Sequence, residues 1–91
     1  MNTKSIINEL GAFERVENVS ANHNQIVFEH GQVLTSYGSN CAIRCKGTIY
    51  LVDGIYNYSR TTSKHLNGWL GLTSKDVKGM IKLGTITIIE N

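Results

Sequence analysis

The sequence lacks proline entirely and has no apolar run of the length that a membrane-spanning helix requires. A transmembrane helix needs about 20 consecutive apolar residues. The segment after Met1 is amphipathic, whereas the core of a signal peptide is continuously apolar. The chain also contains no low-complexity tract or internal repeat. We therefore expect a cytoplasmic protein that forms one domain over residues 1–91.

Charged residues are scarce, at 18% of the chain, while hydrophobic residues make up 41%. This composition is typical of a globular domain and not of a disordered one. The net charge of +2 is too small to indicate nucleic-acid binding, which needs clustered Lys and Arg. Neutral polar residues fill much of the surface, and such surfaces often contact a partner.

The two cysteines, Cys41 and Cys45, are expected to be free thiols in a reducing compartment. Four residues apart in a strand, they should lie on one face about 13 Å apart, too far to form a disulfide. Two cysteines without further ligands at metal spacing are a weak zinc signal. We interpret them as small buried residues and expect no metal and no cofactor.

Residue periodicity and turn residues predict helices over residues 3–12, about 60–70 and about 74–83, with strands between the first two helices and after the third. The segment Asn22-His23-Asn24 is typical of a turn. Lys46-Gly47 and Asp53-Gly54 both predict tight hairpins, and residues 55–58 a short extended piece. In residues 41–46 we expect Arg44 and Lys46 to face outward. These patterns predict an α+β fold with an antiparallel sheet of four to six strands and two or three short helices packed on one face.

The segment 55–65 combines two tyrosines, several hydroxyl residues and three potentially cationic side chains at the start of the second helix. Helical spacing places Arg60 and Lys64 opposite Leu66, Trp69 and Leu70, so both cations should face solvent. The free N–H groups at a helix N-terminus favour an anion there. The competing interpretation is structural, because Ser and Thr are preferred at helix starts whatever the function. The residues predicted to bind a partner or anion are Tyr56, Tyr58, Ser59, Arg60, Thr61, Lys64, His65, Arg44 and Lys46.

No residue pattern makes a case for catalysis. His23, His30 and His65 are separate in sequence and have no nucleophile at a defined spacing. A phosphate-binding loop, a pair of carboxylates and a catalytic triad are also absent from the sequence. We therefore predict that the protein is not an enzyme.

Residues 27–71 resemble a family of short, uncharacterised domains in bacteriophage and prophage proteins. The most specific part of the resemblance is Tyr58-Ser59-Arg60-Thr61-Thr62-Ser63-Lys64-His65; Gly31-Gln32-Val33 and Trp69-Leu70-Gly71 belong to the same pattern. The sequence departs from the family at Trp69, where the family usually has Phe, and the tail from Leu72 onward has no counterpart in it. The resemblance implies a phage-encoded accessory protein in the cytoplasm of a bacterial host.

Three functions are consistent with these features. The first is stoichiometric binding to a host protein or ribonucleoprotein, of which an inhibitor of a bacterial defence system, as anti-CRISPR proteins are, is one form. The second is a nucleic-acid-binding module that uses the basic and tyrosine residues. The third is a sponge for a phosphorylated nucleotide, for which a homodimer would provide a deeper site.

Overall fold

The computed structural model describes residues 2–91 and contains three helices and one six-stranded sheet. Its elements, in chain order, are α1 (Thr3–Asn8), β1 (Phe13–Ser20), β2 (His23–Phe28), β3 (Gly31–Ser36), β4 (Ser39–Cys45), β5 (Thr48–Val52), α2 (Arg60–Leu70), α3 (Ser74–Leu83) and β6 (Ile86–Ile89). The strands lie in the order in which they occur in the chain, with β1 and β6 at the two edges. The predicted α+β class and the numbers of strands and helices are confirmed.

Four of the five strand pairings are antiparallel, and β6 pairs with β5 in parallel. A parallel neighbour needs a long crossover connection, and here α2 and α3 provide it. The Asp53-Gly54 hairpin prediction is therefore wrong. The free edge of β5 is taken by β6, and the N–H of Asp53 continues that pairing by donating to the carbonyl of Ile89 at 2.9 Å. Residues 53–57, which include part of the predicted extended piece, form turns that carry the chain off the sheet toward α2.

Two further local predictions are corrected by the register. His23 is the first residue of β2 and pairs with Ser20, so the turn is Ala21-Asn22 and not Asn22-His23-Asn24. The first helix ends at Asn8 instead of residue 12. At its start, Asn2 Oδ1 caps the helix by accepting a hydrogen bond from the N–H of Ser5. The Lys46-Gly47 hairpin is confirmed, since both residues have positive φ and join β4 to β5.

Helices cover both faces of the sheet, and not one face as predicted. On the first face, Ile6 of α1 and Leu10 of the turn after it pack onto a cluster completed by Val33, Ile43, Cys45, Val52 and Ile89. On the second face α2 and α3 pack through Leu66 and Val77 onto Leu34, Cys41, Ala42, Leu51 and Ile86. We call these the α1 face and the α2–α3 face. Alternate residues of the central strands point to opposite clusters, as the pleat requires.

The cysteines lie in different clusters, so the prediction that they share one face is wrong. The register shift between Leu34 and Thr35 leaves Cys41 as an extra residue in β4. A bulge of this kind interrupts the alternation of side chains, which places Cys41 under α2 and Cys45 under α1. Both thiols are buried and free, and burial raises the pKa of Cys41 to about 12.

Candidate binding face

The second helix begins where the hydroxyl pattern predicts, because Ser59 caps it. Its Oγ accepts a hydrogen bond from the N–H of Thr62 at 3.2 Å and donates one to the Thr62 hydroxyl at 3.1 Å. The helix ends at Gly71, whose left-handed backbone is easily adopted only by glycine. Ser59 therefore has a complete structural role at the start of α2.

Arg60 and Lys64 are exposed on α2, as their spacing predicts, while Thr62 and Leu66 are buried beneath the helix. Both cations line a shallow depression of about 550 Å³ together with Asn57, Ser59, Ser63, Asn67 and Ser74. Its lining consists of amide, hydroxyl and cationic side chains. These groups donate hydrogen bonds to anionic oxygens.

The other predicted residues of the 55–65 segment are divided between surface and interior. Tyr58 is 74% exposed and Thr61 is also exposed. Tyr56 is half-buried against the apolar cluster of the α2–α3 face. His65 is half-buried and its ring stacks on that of His23 at 4.2 Å between centroids, so it points inward, away from the depression.

The structure does not place Arg44 and Lys46 beside Arg60. Arg44 lies at the opposite end of α2, where its guanidinium is 4.1 Å from the centre of the Trp69 ring and donates to the Trp69 carbonyl. A cation at a helix C-terminus is stabilised by the helix dipole and, over an indole, by the ring. Burial lowers the pKa of Arg44. Arg44 therefore contacts the helix, contrary to the prediction that it faces outward, whereas Lys46 is exposed in the β4–β5 turn.

The third helix supplies cations that the sequence analysis did not single out. Lys75, Lys78 and Lys82 are all exposed, and their spacing places them along one side of α3. Lys78 lines the cleft between α2 and α3, which shares Asn57, Ser63, Asn67 and Ser74 with the depression beside Arg60. The i, i+3, i+7 spacing of these lysines was the available signal, but only the packing of the helices shows that Lys78 adjoins the α2 cations.

Charge is separated across the molecule. Residues 60–83 carry five cations and one carboxylate, whereas the rest of the chain carries four cations and six carboxylates. The single carboxylate, Asp76, is occupied in the capping box of α3 with Thr73. Among residues 2–91, no carboxylate forms a salt bridge with any of the five cations. We call the surface formed by Arg60, Lys64, Lys75, Lys78 and Lys82 the basic face.

A model of a family of unknown function (DUF8033) matches residues 1–84 of the chain. The chain belongs to this family. The match extends beyond the segment 27–71 that carries the resemblance, and it includes α3 together with the lysines of the basic face. Neither the comparison with curated proteins nor that with solved structures finds a match.

A line of buried hydrogen bonds joins α2 to the sheet, and no sequence pattern predicts it. The Thr62 hydroxyl lies 2.9 Å from Ser36 Oγ, which lies 3.0 Å from His23 Nε2, and His23 Nδ1 lies 2.9 Å from Ser20 Oγ. His23 is only 1% exposed. Desolvation, followed by the charge of His65, lowers the pKa of His23, so its imidazole is neutral at pH 7. This polar line fixes the start of α2, and hence Arg60, relative to the sheet.

The same line contains a serine hydroxyl within hydrogen-bond distance of an imidazole, a pairing that can activate a nucleophile. Ser36 is 3% exposed and its oxygen also contacts Thr62. The geometry therefore has a full structural explanation. Within residues 2–91, no group of three or more His, Cys, Asp or Glu side chains is placed to hold a metal ion. None of the helices of residues 2–91 is long and apolar enough to cross a membrane.

Proposed function

We propose that the protein is a phage-type accessory protein that works by stoichiometric binding, and that its basic face contacts a negatively charged host macromolecule. The observation that supports this most directly is that two adjacent helices carry five cations without a salt-bridge partner in the part of the chain that the structure describes. The net charge of the chain is only +2, so the positive charge is concentrated on these helices. Exposed cations on a shared surface raise the rate of encounter with an anionic partner.

The extent of the basic face favours a large partner. A single phosphorylated nucleotide could contact Arg60, Lys64 and Lys78, which line adjoining depressions, but not Lys75 and Lys82, which line neither. An acidic surface on a host protein or ribonucleoprotein would engage both helices, and a component of a bacterial defence system is one such partner. The sign of the charge argues against mimicry of DNA, because a mimic must itself be anionic.

Nucleic acid is the second candidate partner. The side chains between the two rows of cations are Asn57, Ser63, Asn67 and Ser74, and side chains of this kind commonly donate to phosphate oxygens. Tyr58, which is exposed and precedes Arg60 in the sequence by two positions, offers a ring for stacking on an unpaired base.

The test compares the wild type with two double variants, Arg60→Ala/Lys64→Ala on α2 and Lys78→Ala/Lys82→Ala on α3. Each is used in a pull-down from host lysate, with and without nuclease, and in titrations of labelled oligonucleotides at several salt concentrations. Both variants should lose at least ~10-fold in affinity for the captured partner, since charge-assisted contacts contribute about 1.5–3 kcal/mol each. All four side chains are exposed, so the free energy of unfolding should change by less than about 0.5 kcal/mol.

A matched control removes two exposed cations elsewhere, Lys4→Ala in α1 and Lys46→Asn in the turn, where Asn tolerates the positive φ of residue 46. The control should bind as the wild type does. Capture that survives nuclease indicates a host protein; capture lost with nuclease, with affinity falling steeply as salt rises, indicates nucleic acid. Equal binding by the wild type and both basic-face variants would refute the proposal.

A further inference from the structure

The two edges of the sheet are finished differently. The β6 edge has only four residues, and the chain start is tied to its end because Thr3 donates to the carbonyl of Glu90 through both its N–H, at 2.8 Å, and its hydroxyl, at 2.9 Å. The β1 edge has eight residues, seven of them exposed. No strand or helix of residues 2–91 pairs with its outer side. Such an edge is a template for another strand.

The exposed side chains of β1 include three large apolar residues. Phe13 is 59% exposed, Val16 57% and Val19 43%. Together they are half of the six large hydrophobic residues exposed in residues 2–91. The charged residues of the strand alternate in sign, as Glu14, Arg15 and Glu17. An edge that is both apolar and of mixed charge can match a partner strand of the same composition.

We propose that β1 pairs antiparallel with β1 of a second copy of the chain, with the two-fold axis passing through Val16, to form a continuous twelve-stranded sheet. This surface is separate from the basic face, so the proposal stands or falls independently of the binding function.

The backbone restricts the choice of register. Successive residues of a strand direct their backbone N–H and C=O groups to alternate edges of the strand. Across a junction between two antiparallel strands, a residue whose backbone groups point toward the other strand must therefore lie opposite a residue whose backbone groups also point across the junction. For two identical antiparallel strands, this holds only when the axis passes through a residue and not between two residues. The register with β2 shifts between Phe13 and Arg15 and again between Asn18 and Ser20, so the regular stretch that remains is residues 15–18.

The charges select one of these axes. An axis through Arg15 would place Arg15 opposite its own copy, and an axis through Glu17 would do the same for the carboxylates. Like charges directly opposite one another destabilise a sheet. An axis through Asn18 leaves Glu17 opposite Val19. An axis through Val16 instead places each Arg15 opposite the Glu17 of the other copy, and it brings the two Val16 side chains together.

The side chains on each face of the sheet agree with this axis. Val16 is paired with Ile26 and Phe13 with Phe28, and both partners pack on the apolar cluster under α1. Phe13 and Phe28 meet edge to face at 6.1 Å. Apolar side chains of the two copies would therefore extend the α1 face across the junction. On the other face, Arg15 already donates to Glu17 of its own strand at 3.2 Å, a contact that the dimer would exchange for two between strands.

The first measurement is the mass in solution over a range of concentrations, by sedimentation or light scattering. The wild type should approach twice the 10.1 kDa mass of one chain as its concentration rises. A single-chain mass up to millimolar concentration would overturn the proposal, and would leave the edge to a strand of a different protein.

The register is tested by charge reversal. Arg15→Glu alone and Glu17→Arg alone each create two like-charged pairs across the junction and should weaken self-association ~10-fold or more. An equimolar mixture of the two variants should form a heterodimer, and the double variant Arg15→Glu/Glu17→Arg should recover the homodimer. Circular dichroism verifies that each variant is folded. Self-association that is unaffected by either single reversal would place the contact elsewhere and refute the proposal.

Disulfide cross-linking tests the axis directly. Val16→Cys places two thiols opposite each other at a Cα separation of about 4.5–5.5 Å, which a disulfide spans. Asn18→Cys is the matched control, because its copy would lie about four residues along the partner strand, roughly 13 Å away. The native Cys41 and Cys45 are buried and should not react. Only Val16→Cys should give a covalent dimer on mild oxidation; equal yields from both variants would exclude this axis.

Discussion

The α1 helix is held on its face of the sheet by apolar contact and, at its first residue, by two hydrogen bonds from Thr3 to the Glu90 carbonyl, whereas α2 has polar contacts with the sheet at both of its ends. On the α1 face, the side chains of Ile6 and Leu10 are 1% exposed or less. Under α2, the line from Ser59 to His23 adds hydrogen bonds, and Arg44 stacks on Trp69 and binds the end of the helix. Apolar burial is non-directional, while hydrogen bonds fix position and angle. The helices on the face with these polar contacts are also the ones that carry the five cations of the basic face.

This difference has a physical rationale. A short helix such as α1, of six residues, is stable only through its packing and the hydrogen bonds of Asn2 and Thr3 at its start. The two longer helices carry five exposed charges of one sign, and the polar contacts at both ends of α2 fix the position of that helix on the sheet.

Glycine-to-alanine substitution should lower the free energy of unfolding at Gly31, beside Leu10, and raise it at Gly68, in α2. A Cβ at Gly31 would lie 1.9 Å from the Arg44 carbonyl oxygen and 2.7 Å from Leu10 Cδ2, so Gly31→Ala must move backbone. We expect a loss of about 3 kcal/mol, at the upper end of the cost of overpacking. At Gly68 in α2 a Cβ meets no atom within 4 Å, and Gly68→Ala should stabilise by about 0.5–1 kcal/mol. Urea unfolding of both variants measures this; equal effects would contradict the close approach at Gly31.

Removing one hydroxyl from the buried line should destabilise the α2–α3 face. Thr62→Val keeps the shape of the side chain but leaves Ser36 with one partner fewer, at an expected cost of about 1–3 kcal/mol. Thr61→Val is the matched control, since Thr61 is exposed on the same helix, and it should change the stability by less than about 0.5 kcal/mol. Hydrogen exchange of the first turn of α2 should quicken in Thr62→Val alone. Similar exchange in both variants would mean that the line does not hold the helix start.

Acid should weaken the attachment of α2 through His23. Burial lowers the pKa of His23 below the value of 6.5 that it would have when unfolded. Well above pH 6.5 the imidazole is neutral in both states, so it does not make the stability depend on pH. Below pH 6.5 the unfolded chain binds a proton that the folded chain excludes, so the free energy of unfolding should fall as pH drops from about 7 toward 5. Urea unfolding at several pH values measures this.

The same acid dependence should persist at high salt, because desolvation is its leading cause and salt screens mainly exposed charges. His23→Gln should reduce it. A stability that does not change between pH 7 and 5, or an unchanged slope in His23→Gln, would show that the imidazole is not excluded from protonation.

Local sequence patterns predicted much of the secondary structure and the orientation of the α2 cations. The Ser59 cap, the Thr73 capping box and the glycines at the helix ends involve residues within a few positions of each other, so their signals are visible in the chain. The same holds for Lys46-Gly47. Asp53-Gly54 shows where local patterns stop being sufficient. These residues favour a tight turn, but whether the next segment pairs with β5 depends on which strand occupies that edge of β5. The strand that does so, β6, lies more than 30 residues further along the chain.

The candidate site was predictable only in part, for the same reason. Arg60 and Lys64 are on one helix and follow from its period. The line from His23 to Thr62 joins residues 13 and 26 positions apart, and Arg44 meets Trp69 from 25 positions away. The α1 helix packs on the face of the sheet opposite α2 and α3. Its own sequence pattern could not predict which face, because the sheet has apolar residues on both faces and either could accept the helix.

The sequence by itself determined where α2 and α3 begin and end, which of their residues are apolar, and that Arg60 and Lys64 lie opposite Leu66. Those properties depend on the helical period and on caps formed by near neighbours. Only the tertiary structure decided that α3 brings Lys78 to the cleft beside the α2 cations, that His23 is buried in a hydrogen-bonded line, and that β1 is left as an open edge. Each of these depends on which distant segments pack together, and that is set by the burial of the whole chain and not by any one stretch of it.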